Sequence, residues 1–120
     1  MMAVAGETIT LLADMPGLRL GRGLNDREGH WARARRVKAE HHAVAWSLAT
    51  RARPSLPCVI RITRLAPGNG LDDDNLQGAC KAVRDAVAKW IGVDDREVGA
   101  VRYEYAQARA PWAVRIEVVR

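Results

Sequence analysis

At 120 residues, with 48% apolar and 28% charged, the chain has the size and composition of one globular domain and is not a disordered tail. The formal charge is +5 at pH 7, and the absence of any run of ~18 apolar residues excludes a membrane-spanning helix. Cys58 and Cys80 stand apart with no C-x-x-C pair, and are expected as buried free thiols in a reducing cytoplasm.

The start, Met1 to Gly6, is too short and too poor in basic residues for a signal peptide. Glu7 to Leu12 is β-branched and partly alternating, and predicts a first strand. From Asp14 to Gly29 the chain is broken by Pro16, Gly17, Gly21, Gly23 and Gly29, so a loop is expected. Its Arg19, Arg22 and Arg27 suit contact with phosphates as well as a plain surface. A long helix follows from about Arg27 or His30 to Ala52. Its apolar stripe is read as Trp31, Ala34, Val37, His41, Val44 and Leu48, which makes His41 a core or interface histidine. The other faces carry Arg33, Arg35, Arg36, Lys38 and His42, a basic surface that either lies along a nucleic-acid backbone or is merely solvated.

Pro54 and Pro57 end that region. Cys58 to Leu65 alternates as a second strand. A turn over residues 66–70 then leads to a second helix from about Asn75 to Ile91. Leu76, Ala79, Cys80, Val83, Val87, Trp90 and Ile91 form its buried face, and Gly92 stops it. Val98 to Tyr105 and Trp112 to Val118 alternate as two more strands, expected as a hairpin across residues 107–111. The order β-α-β-α-β-β predicts an α+β fold over residues 1–120, one mixed sheet with two helices packed on it.

Asp72, Asp73 and Asp74 are consecutive in a basic protein. Like charges within ~4–6 Å disfavour one another's ionisation, and a hard cation with oxygen ligands relieves them. Residues 72–97 carry a net charge of −3 and the remainder +8, an acidic island in a basic body. Such a body gathers phosphates, which the island repels unless a cation sits in it. Asp72 and Asp74, two apart in an extended segment, are expected to point the same way. At about 100° per residue, Asp74, Lys81 and Asp85 share one helical face, and Lys81 is long enough to lean toward the aspartates. Asp94 and Asp95 lie beyond a helix about 25 Å long, so they reach the first cluster only if the helix is shorter or a second subunit supplies them. The simpler role for Asp74 is a helix N-cap. A calcium loop is excluded, because Leu76 and Val83 occupy ligand positions.

The three linked elements are Asp72-Asp73-Asp74-Asn75-Leu76, Lys81-Ala82-Val83-Arg84-Asp85-Ala86 and Asp94-Asp95 before a strand. In this order they resemble the RusA family of Holliday-junction resolvases. The resemblance is sharpest over residues 71–98 and extends loosely over nearly the whole chain. It implies a Mg²⁺-dependent endonuclease, with Mn²⁺ as a substitute metal, acting as a homodimer on branched DNA in recombination and repair. Asp72, Asp74 and Asp95 would bind the metal, and Lys81 would be the catalytic lysine. Arg22, Arg27, Arg33, Arg35, Arg36 and Lys38 would contact DNA. In better-known members the lysine comes about one turn sooner; here Gly78-Ala79-Cys80 intervenes. The alternative is a protein of the same fold that grips branched DNA without cutting it.

Overall fold

The apolar alternation of Cys58, Ile60 and Ile62 sets the middle of the molecule. In the computed structural model, which describes residues 8–21, 28–93 and 99–120, this strand is central in a four-stranded sheet. The elements are β1 (Ile9–Pro16), α1 (His30–Leu48), β2 (Cys58–Ala66), α2 (Asp73–Ala79), α3 (Lys81–Ile91), β3 (Val101–Arg109) and β4 (Ala113–Val119). The sheet order is β1-β4-β2-β3, with β2 parallel to β3 and antiparallel to β4. The fold is the α+β class expected, with a mixed sheet.

The core forms where helices and sheet meet. Val44 and Leu48 of α1, Val83 and Val87 of α3, and Ile60, Ile62, Val114 and Ile116 of the sheet are all fully covered. Burying each such side chain stabilises the fold by about 1.5–3 kcal/mol. Gly92 ends α3 as anticipated. It adopts a left-handed φ of 81°, and its N–H donates to the Ala88 carbonyl at 2.9 Å. Cys58 and Cys80 are free and buried, and burial pushes the Cys80 thiol up to about 12, which leaves it unreactive. No helix among the described residues is long and apolar enough to cross a membrane.

Four expectations need correction. First, β3 and β4 do not form a hairpin, because β2 lies between them and pairs with both. The connection at residues 110–112 wraps the end of β2, where the Ala110 N–H donates to the Ala66 carbonyl at 3.0 Å. Pairing on both sides gives the backbone of β2 partners along nearly its whole length, from Cys58 to Ala66 with β3 and from Val59 to Leu65 with β4.

Second, β1 runs on through Asp14 to Pro16, where a loop was expected. A register shift between Leu11 and Ala13 lets Leu12, Ala13 and Met15 all be buried, and Pro16 is tolerated at the end of an edge strand.

Third, the second helix begins at Asp73 and breaks at Cys80 into α2 and α3. The two pieces pack differently, α2 against β3 and α3 against α1. Gly78 weakens the helix just before the break.

Fourth, α1 presents a different stripe. Glu40, Val44 and Leu48 are buried, whereas Trp31, Ala34 and His41 are exposed. The helix also stops at Leu48, short of Ala52.

Candidate functional site

The 67–71 turn emerges from the end of β2 and delivers the aspartates beside β3. Its last residue is tied down by a side chain that the sequence did not flag. Gln107 of β3 accepts from the Leu71 N–H at 2.8 Å and donates from Nε2 to the Leu71 carbonyl at 2.6 Å. This two-point clamp fixes the backbone immediately before Asp72. Gly70 makes room for it, since a Cβ there would stand 3.0 Å from Gln107 Oε1. Removing the clamp strands two backbone groups, at about 1–3 kcal/mol for each one left unsatisfied. Gln107→Ala is therefore expected to lose about 2 kcal/mol in chemical denaturation; a loss below the resolution of the method would show that the clamp is idle.

Asp72, not Asp74, is the N-cap. Its backbone is extended (φ −68°, ψ 168°), and its Oδ1 accepts from the Asn75 N–H at 2.9 Å. Asn75 Nδ2 also donates to both Asp72 oxygens, at 3.0 and 3.1 Å. Asp73 and Asp74 lie in the first helical turn and are exposed. The expectation that Asp72 and Asp74 share an extended segment is thus overturned, because the helix starts two residues early. Beneath them Asn75 is buried, and its Oδ1 has no hydrogen-bond partner among the described residues.

Lys81 does not lean toward the aspartates. Its Nζ pairs with Asp85 Oδ2 at 3.0 Å, one turn the other way, and its side chain is 67% exposed. Arg84 lies 3.5 Å from both Asp85 Oδ1 and the Tyr105 hydroxyl. Between α2 and β3 runs an open groove of about 720 Å³, lined by Arg61, Asp73, Leu76, Gln77, Tyr103 and Tyr105 among others. Burial pushes the Tyr103 hydroxyl up to about 12, so it stays protonated at neutral pH.

Asp94 and Asp95 lie outside the described residues, as do Arg22 and Arg27. Among the described residues no three His, Cys, Asp or Glu side chains converge on a common point. The oxygens that lie together in sequence are nonetheless hard ones: the exposed Asp74 carboxylate, that of the capping Asp72, and the buried Asn75 Oδ1. Their chemistry, rather than a shared position, is what suits Mg²⁺, which needs only one or two carboxylates and keeps several waters.

The basic residues of α1 divide. Arg33, Arg35 and Lys38 are exposed. Arg36 is not a solvated cation: it donates from Nε to Glu28 at 2.8 Å and from Nη1 to Glu40 Oε2 at 2.7 Å. Glu40 is 1% exposed, and burial holds its carboxyl above the ordinary range despite that partner. Two further arginines, Arg64 and Arg109, gather at the ends of β2 and β3 near the aspartate turn. Composition offered no signal for them, because only the pairing of the two strands brings them together.

No protein-family model matches the chain, and no curated protein matches it.

Proposed function

We propose that the protein is a Mg²⁺-dependent endodeoxyribonuclease that nicks opposed strands of four-way DNA junctions, working as a homodimer in recombination and repair. The observation that carries this reading is the exposed first turn of α2, where Asp73 and Asp74 stand beside the capping Asp72 in an otherwise basic protein. The RusA-like order of motifs gives that cluster its reaction. The two free thiols fit a cytoplasmic setting.

When bound, Mg²⁺ supplies an activated water and neutralises charge building on the phosphate. Asp72 and Asp74 would hold it, with Asp95 as the third carboxylate. The Asn75–Asp72 bonds fix one carboxylate in place before any metal arrives. Lys81 is held by a surface pair worth under about 1 kcal/mol, so its ammonium can leave Asp85 for a phosphate oxygen. There it adds a fixed positive charge to the transition state.

The test is a nicking assay on a synthetic four-way junction. Paired nicks are expected with Mg²⁺ or Mn²⁺, none after chelation, and full recovery when metal is returned. A junction left intact at low salt contradicts the proposal. The second reading, a protein that grips branched DNA without cutting, is favoured by the hydrogen bonds that already occupy Asp72 and the ion pair on Lys81. It predicts junction binding that ignores both metal and substitution of Asp74.

A further inference from the structure

The turn before the aspartates has a second chemical character. On one side it walls a cavity of about 310 Å³, and on the other a cavity of about 520 Å³. Both are lined by Arg64 and Asn69; the first adds Gln107 and Arg109, the second Trp112. Among the described residues no acidic side chain lines either one.

The cations are held in place. The guanidinium of Arg64 lies 5.3 Å from the centre of the Trp112 ring, and that of Arg19 lies 5.4 Å from it. Arg109 donates from Nε to the Pro67 carbonyl at 3.1 Å, which fixes its direction and leaves its two terminal amino groups for another acceptor. The guanidiniums of Arg64 and Arg109 both line the first cavity and focus a positive potential on its concave surface. An oxyanion fits this lining better than any neutral ligand. Arginine forks match phosphate oxygens, and Asn69 adds an amide donor.

We propose that this cleft, walled by Arg64, Asn69 and Arg109, binds a phosphate group, and that in function it is a backbone phosphate of the DNA strand neighbouring the one presented to the aspartates. The second clause rests on the nuclease reading; the first does not. The clamp on Leu71 gives the two sites a fixed spacing, since the same turn that walls the cleft ends at Asp72.

The experiment has two arms. In the first, inorganic phosphate is titrated into the isotope-labelled full-length chain and followed by NMR. Saturable shifts are expected at the Gly68, Asn69 and Gly70 amides and the Trp112 indole. Arg109→Ala and Asn69→Ala, both at exposed positions, should weaken the binding several-fold, while Arg51→Ala should not. Absent or non-saturable shifts, or equal effects from Arg51→Ala, overturn the phosphate site.

In the second arm, junction binding by an Asp74→Asn background is measured across salt concentrations. Arg109→Ala should reduce the logarithmic salt slope by about one. An unchanged slope with phosphate binding intact overturns DNA as the source. If phosphate saturates the cleft but junctions are neither bound nor nicked by the parent protein, the cleft stands and the nuclease reading falls.

Discussion

Asp74→Asn is expected to reduce junction nicking by about 100-fold or more while leaving the fold intact. A bound metal contributes several kcal/mol to the transition state, and ~1.4 kcal/mol is a factor of ten in rate. The side chain is exposed in the first turn of α2 and caps nothing, so the stability cost is limited to its interaction with the helix end, within about 1 kcal/mol. Asp72→Asn makes a useful companion. Asparagine caps as well as aspartate, so this variant removes charge while keeping the helix start. Asp72→Ala removes both and is expected to lose about 1 kcal/mol in addition. Rates from single-turnover nicking, set beside thermal melts of each variant, separate the two contributions. An Asp74→Asn protein that nicks as fast as the parent refutes the role given to this residue.

The largest stability effect is expected far from the aspartates. Arg36→Met leaves the Glu40 carboxylate buried without its cation, at about 3 kcal/mol. The loss depends on pH with a definite sign. Glu40 sits above its ordinary value of 4.5 because burial disfavours its charge, and the Arg36 bond is what holds it down. Without Arg36 it rises further. A carboxyl whose folded-state value is raised contributes stability below the unfolded value, and that contribution disappears as pH rises through the folded value. The variant should therefore be least stable relative to the parent at about pH 8, and should recover toward about pH 5 as Glu40 takes up a proton. Glu28, held below its ordinary value by the same guanidinium, works in the opposite sense. Its contribution is present above 4.5 and fades as pH falls. Arg36→Met combined with Glu40→Leu should regain most of the loss, since an apolar pair can replace a buried ion pair. Denaturant unfolding at the two pH values measures this, and a pH-independent loss under ~1 kcal/mol contradicts it.

The same pair shows why part of the fold was hidden in the sequence. Apolar spacing alone placed Trp31, Ala34 and His41 on the inner face of α1. The helix instead turns Glu40 inward, and burying a glutamate is acceptable only because Arg36 lies one turn before it. Where the buried residues are simply apolar, as at Val83, Val87 and Ile91, the spacing identified the face correctly. Strand alternation likewise told which residues of β2, β3 and β4 share a side. It carried no information on which strands are neighbours, so β2 inserted where a hairpin was expected.

At the candidate site, the aspartates announced themselves by charge, but their backbone did not. A helix that starts at Asp73 makes Asp72 the cap and moves Asp74 out of the extended segment. Gln107 and Arg109 join this region only through the parallel pairing of β3 with β2, a contact between residues far apart in the chain. No local pattern could have marked them. Arg64 was legible as a strand residue, but its place beside Trp112 depends on the three-residue connection that wraps β2.

The most direct test of the central claim asks whether a cation binds at the start of α2, independently of any cutting. Mn²⁺ titrated into the full-length labelled chain broadens resonances close to it. Broadening is predicted to begin at residues 72–75 at low metal occupancy, to be competed by Mg²⁺, and to vanish in Asp74→Asn. Broadening that starts instead around His41 and His42, or that persists unchanged in Asp74→Asn, would contradict it.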